Sequence, residues 1–394
     1  MAVMSGDFVQ RGTPAFTDKW VRTKMALDSG VNLVIELPAL FAFQDAGGFA
    51  SGAVNLLERT GLCDHLVFGS ESGDIELLKE TAKILVENEY TLSEMEEKYM
   101  KKGFSHPNAR KYALNELLEH SGKSGVLDVL SSSNDILGLE YMKALKKIRS
   151  SITAQCIQRI GSSYHTEDML ENLSSATAIR KEFFQGEIEN IQRNVPETVW
   201  NIIKDKDFNS ITPNLADFET TILNKFRALT RDHIKRYYGF TEGLDLRFSN
   251  FAMTAQSLDE LLLAVKTKRF TYTRLQRLLL YFLFELTVPE VKEAQEYGPQ
   301  YIRVLGFDEK GRELLSEMKK TACLPIISTP STYNKAYIKY EKKFEKKEKP
   351  YYSLYNIYKR HIQFDFRVSD YYTCLQWGFL PDSEMDIKKK PLSV

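Results

Sequence analysis

Residues 31–73 read VNLVIELPALFAFQDAGGFASGAVNLLERTGLCDHLVFGSESG, and their order decides the fold. Residues 33–37, LVIEL, predict a strand that Pro38 ends. Residues 46–60 predict a helix closed by Gly61. Residues 65–68, HLVF, predict a second short strand running into Gly69-Ser70-Glu71. Toward the N-terminus, residues 2–4 read as the tail of a strand, followed by a glycine-bounded loop over 5–12. Thr17 can cap a helix over 18–29 that Gly30 stops. Toward the C-terminus come polar helices over about 74–120, a helix over 134–148, a strand over 152–160 and a capped helix over 174–186. Strands alternating with helices predict an α/β fold built on a doubly wound, mainly parallel sheet. Ligands of such sheets sit beyond the carboxyl ends of the strands.

After about Pro196 the pattern changes. Helical periodicity dominates over 218–229, 257–267 and 273–286. A further helix over 311–321 is flanked by short strands at 301–305 and 325–328. The expected organisation is a nucleotide-binding α/β domain over 1–195 and a mainly helical domain over 196–394, within the range that 394 residues allow. Residues 341–349, EKKFEKKEK, are a charge run of the kind found at solvated helix ends and loops.

Lys+Arg and Asp+Glu balance at 53 each, so any nucleic-acid surface must be a local patch. The four cysteines, Cys63, Cys156, Cys323 and Cys374, form no CxxC pair. Together with six scattered histidines they give no zinc spacing and no metal site. Spread thiols in a chain of this size read as reduced, hence cytoplasmic. No apolar run approaches the roughly 20 residues that span a bilayer, and residues 1–7 lack the features of a signal peptide. His65, His106, His120, His165, His233 and His361 show no nucleophile–base spacing. His165, in the loop after Arg159, is the one placed to matter.

Three constellations could carry chemistry. The first is Ser174-Ser175-Ala176-Thr177-Ala178-Ile179-Arg180. Hydroxyl residues open a helix and an arginine follows one turn later, a pattern suited to nucleotide phosphates; a plain N-cap with a surface arginine is the alternative. Arg159 and Gly161, at the end of the preceding strand, point to the same region. The second is punctuation at strand and helix ends. Gly69 lets a ligand approach the backbone or merely makes a turn. Asn134 reads a base or ribose or merely caps its helix. The third is residues 266–277, KTKRFTYTRLQR, with five basic residues (Lys266, Lys268, Arg269, Arg274, Arg277), two aromatics and no acid. Such a cluster suits RNA phosphates and unpaired bases, or a solvated helix start. Arg303 and the turn at 310–312 could extend it.

The runs VMSGDFVQRGTPAFTDKWVRTKMAL, VNLVIELP, LVFGSES, SSNDILGLEY, QRIGSSYH, SSATAIR and KTKRFTYTRLQR occur in this order. Together they resemble the bacterial tRNA(Met) cytidine acetate ligase family, which belongs to the HxGH nucleotidylyltransferase-like, Rossmann-type group. The likeness covers nearly the whole chain. It implies an enzyme that uses ATP and acetate to form acetyl-adenylate. The acetyl group then moves to the wobble cytidine of elongator tRNA(Met), giving N4-acetylcytidine. It implies ATP contacts at Gly69, Asn134 and Arg159, makes SSATAIR (Ser175, Thr177, Arg180) similar to the group's second phosphate motif, and makes Mg²⁺ an expected companion of ATP. It also aligns residues 2–4 with the family's second strand, so the HxGH histidines that stabilise charge on the α-phosphate are expected upstream of Met1. Two rival readings are a small-molecule adenylyltransferase whose helical half only packs, and a non-catalytic RNA-binding relic.

Overall fold

The structure is a computed structural model and describes residues 1–118, 126, 129–130, 132–159, 174–204, 212–344 and 351–394. In chain order the strands are β1 (Ala2–Ser5), β2 (Phe8–Val9), β3 (Thr13–Pro14), β4 (Leu33–Leu37), β5 (His65–Ser70), β6 (Thr153–Gln158), β7 (Ile302–Phe307), β8 (Ile326–Ile327) and β9 (Leu392–Ser393). Contacts group the chain into two units. One comprises Met1–Leu62, Asn201–Val265 and Tyr272–Val394; the other comprises Cys63–Trp200 with Lys266–Thr271. This grouping differs from a single cut at 195/196, because the C-terminal half returns three strands to the sheet begun by the N-terminus.

In the first unit the order is β1-β4-β7-β8, with β9 also on β7. The β1/β4 pair is parallel, as the alternating pattern predicts, whereas β7 enters antiparallel to β4. Every residue of β4 is buried, so this strand needs partners on both edges and cover on both faces. The equally apolar run of β7 supplies one edge. Leu33 and Ile35 of β4 pack with Ile302 and Val304 of β7, and with Leu56 and Met318 from the helices Ala46–Thr60 and Glu309–Thr321. The helix Lys19–Asp28 is capped by Asp18 rather than Thr17: the Asp18 carboxylate accepts from Trp20 N at 2.8 Å and Val21 N at 2.9 Å. Thr17 is wholly buried instead.

A cluster of charges lies inside this unit. Lys19 and Arg303 are both 0% exposed. Lys19 Nζ donates to Glu36 at 2.9 Å and to Asp386 at 3.0 Å, and lies 3.8 Å from Asp7. Arg303 Nη2 donates to Asp386 Oδ1 at 2.9 Å, and its Nε lies 3.3 Å from Glu36. Burial alone would raise the Asp386 carboxyl, but Arg303 and Lys19 hold it below the ordinary carboxylate range. Burial and Arg303 pull the Lys19 ammonium down, and the surrounding carboxylates outweigh both. Arg303 is therefore a core residue and cannot extend an RNA-facing patch.

His361, on the helix Tyr351–Trp377, is 3% exposed, and neither ring nitrogen finds a hydrogen bond among the described residues. Burial, and next the Arg360 charge, push its pKa down to about 4. The stability contributed by the neutral ring is thus complete above pH 6.5 and is lost as pH falls toward about 4. At about 1.4 kcal/mol per pH unit, the loss reaches roughly 3 kcal/mol. Urea melts at stepped pH should show the wild type losing that much more than His361→Leu over the same range; equal pH slopes would contradict it.

In the second unit β5 and β6 pair in parallel from His65↔Thr153 to Ser70↔Gln158. The alternation of β5 turns His65, Val67 and Gly69 to the exposed face. The helix Ser133–Lys147 packs on the other face, where Phe68 meets Gly138 and Tyr141. The strand and helix ends that carry the candidate ATP residues all belong to this unit. Among the described residues no helix is long and apolar enough to cross a membrane.

Candidate active site

Gly69 and Ser70 close β5, and the Arg159 N–H extends the ladder by donating to Ser70 O at 2.8 Å. The Arg159 side chain lies over Gly69: a Cβ built there would stand 3.6 Å from Arg159 Cγ. That is ordinary contact, so packing alone does not demand glycine, and its bareness leaves the backbone open to a ligand. Arg159 is exposed, and its guanidinium makes no hydrogen bond or ion pair with any described residue.

Asn134 is tied to the same strand end. It is not the N-cap of its helix, which starts at Ser133 after the cap position Ser132. The cap comes from Glu71 across space. Its carboxylate accepts from Asn134 N at 3.2 Å, Asn134 Nδ2 at 2.7 Å and Asp135 N at 2.9 Å. Asp135, 2% exposed, answers in the other direction. It accepts from the Ser70 hydroxyl, from Ser72 N at 3.1 Å and from Ser72 Oγ at 3.2 Å. Two carboxylates thereby lace the loop after β5 to the helix start. The Glu71 carboxylate thus occupies the position at that helix N-terminus where an anion would be favoured.

Ser175, Thr177 and Arg180 belong to a separate helix, Ala176–Gln185, in the same unit. Ser175 is its N-cap, accepting from Ala178 N at 3.0 Å, and Gly186 ends it in the left-handed conformation. Arg180 folds back along the helix, its Nη1 donating to Ala176 O at 3.3 Å. That carries the guanidinium toward the helix start, the positive end of the helix dipole. Gly161 and His165 lie outside the described residues.

The basic run does not form one helical element. Lys266–Thr271 is a tight turn, with an isolated bridge between Thr267 and Phe270. Phe270 anchors it at 4% exposure, while Lys266 and Lys268 are exposed. Arg269 lies against the neighbouring Phe270 ring. Arg274 and Arg277 ride on the following helix, Tyr272–Leu283. Arg274 pairs with Glu242 at 2.9 Å, and Arg277 lies beside Tyr281. Gly12, at φ +83°, would place a Cβ 2.4 Å from the Arg277 backbone nitrogen, so only glycine lets the β2–β3 turn lie on this helix.

This α/β scaffold, with Arg159 following one parallel strand and the Asn134 amide bonded to the loop after the other, belongs to the HIGH nucleotidyl transferase class, whose family model matches residues 1–378. Within that class the chain belongs to the tRNA(Met) cytidine acetate ligase family. It is 41% identical over 375 residues to the tRNA(Met) cytidine acetate ligase of Fervidobacterium nodosum, covering 95% of this chain and 87% of the relative. It is likewise 41% identical to that of Thermosipho africanus, covering 99% and 91%. The crystal structure of Thermotoga maritima TmcAL bound with alpha-thio ATP superposes with a TM-score of 0.89 at 39% identity, covering 100% of this chain and 91% of that one. Its apo form gives 0.90.

Gly69, Asn134 and Arg159, the candidates picked out in the sequence, gather at one strand end; Glu71 and Asp135, which lace that end together, were not among them. The signal for Asp135 is a carboxylate in the first turn of its helix, adjacent to Asn134.

Proposed function

We propose that this chain joins ATP and acetate into acetyl-adenylate, releasing pyrophosphate, and passes the acetyl group to the N4 amine of the wobble cytidine of elongator tRNA(Met), in the cytoplasm. The observation that supports this best is the likeness, over the whole chain, to an enzyme of that name captured with an ATP analogue. In this reading Arg159 and Arg180 hold phosphate oxygens, where a charge-assisted fork stabilises the developing charge of adenylyl transfer. Ser175 and Thr177 support the same anion from a helix start. Gly69 lets the nucleotide lie against β5, and Asn134 addresses its base. Mg²⁺ would enter on the phosphates, as it does where substrate supplies most of its ligands. Acetate-dependent exchange of labelled pyrophosphate into ATP, without tRNA, tests the first half-reaction. Exchange that needs no acetate would overturn the assignment.

Lys266, Lys268, Arg269, Arg274 and Arg277 are the proposed tRNA contacts. The exposed turn suits this, with a buried aromatic fixing the direction of two lysines. Lys266→Glu with Lys268→Glu should weaken tRNA binding and flatten its dependence on log salt by about 1 per lost phosphate contact. Pyrophosphate exchange should survive. Equal tRNA affinity and slope in the double variant would assign the turn to solvent.

A further inference from the structure

The amide of Asn134 has only one orientation compatible with its neighbour. An ionised carboxylate accepts hydrogen bonds and cannot donate them. Glu71 stands 2.7 Å from the Asn134 amide, so that contact must be made by Nδ2–H; the opposite orientation would set two acceptors against each other. Asn134 Oδ1 is thereby turned away from Glu71, and it makes no hydrogen bond with any described residue. Glu71 is itself held at both ends. Its carboxylate takes two N–H groups of the helix start. Its loop is pinned by Asp135 through Ser70 and Ser72, and by Gly73 N donating to Ser70 Oγ at 2.9 Å.

An asparagine presented this way offers one acceptor and one remaining N–H. That set matches adenine, which shows an amine at C6 beside a bare ring nitrogen. A 6-oxo purine offers an acceptor at C6 and would face Oδ1 acceptor to acceptor. We propose that Glu71, by fixing the Asn134 amide, makes the site select a 6-amino purine over a 6-oxo purine. Glu71 is thus a specificity-determining positioning residue that need not touch the nucleotide. The inference rests on Asn134 belonging to the ATP site.

The test is calorimetric binding of ATP, inosine triphosphate and 2′-deoxy-ATP to the full-length wild type, Glu71→Gln, Glu71→Ala and Asn134→Ala, with melting temperatures alongside. Glutamine can donate to Oδ1 and turn the amide; alanine leaves it free to turn. The wild type should prefer ATP over inosine triphosphate by about tenfold or more, as for a site whose polar groups are left mispaired by the wrong base. In both Glu71 variants that ratio should fall toward one, while the ratio of ATP to 2′-deoxy-ATP stays constant. A Glu71 variant that weakens both purines equally, or keeps the wild-type ratio, overturns the proposal and leaves Glu71 a helix cap only. A wild type that discriminates the 2′-hydroxyl but not the base also overturns it. If Asn134→Ala binds ATP with wild-type affinity, it is the placement of Asn134 in the site that fails.

Discussion

Arg159→Ala is expected to weaken ATP binding by about 1–3 kcal/mol, roughly tenfold to a hundredfold or more, without lowering the melting temperature. Both halves follow from the structure. The guanidinium is exposed, lies over Gly69 and has no hydrogen-bond or ion-pair partner among the described residues. Removing it leaves no buried group unsatisfied, so a loss of affinity cannot be a loss of folding. A charged donor on a nucleotide phosphate has the magnitude quoted. Calorimetry with ATP on wild type and variant reads it directly. Unchanged affinity would remove Arg159 from the site; a lowered melting temperature would show that it has a structural partner.

The largest effect on stability is expected at Lys19. Its ammonium is wholly buried against Glu36, Asp386 and Asp7. Lys19→Met removes one cation and strands the acids, and breaking a buried pair from one side costs about 3–5 kcal/mol. In a unit of this size that lowers the melting temperature on the order of 10 °C. Lys24→Met is the control. Lys24 makes an equally short pair with Asp28 at 2.7 Å, but its side chain is 52% exposed, so solvent screening leaves well under about 1 kcal/mol. Thermal melts of both variants decide the matter; a Lys19→Met protein as stable as Lys24→Met would show that the buried cluster is not held by charge.

What could be read from the sequence follows the range of the interaction. LVIEL and HLVF announce strands because their apolar and β-branched residues carry the signal locally, and Gly61 ends its helix by its own conformational freedom. The candidate residues Gly69, Asn134 and Arg159 stand at or next to element ends, which punctuation reveals. The Glu71–Asn134 bond spans 63 residues and the Lys19–Asp386 bond spans 367; no local window contains both partners. Arg303 shows the resulting error. In sequence it is a cation near a basic run, and in the fold it is the core partner of Asp386. The basic run itself was visible, but its division into a turn and a helix was not, because the anchoring of Phe270 depends on burial.

Nucleoside analysis of tRNA after incubation with the protein and labelled acetate reads the acetyl transfer itself. Unmodified elongator tRNA(Met) should gain labelled N4-acetylcytidine at the wobble position only when ATP and acetate are both present, and other tRNAs should gain none. Labelling without ATP, or none in elongator tRNA(Met) under conditions where the protein binds both ATP and that tRNA, would rule out ATP-dependent acetylation of that cytidine by this protein.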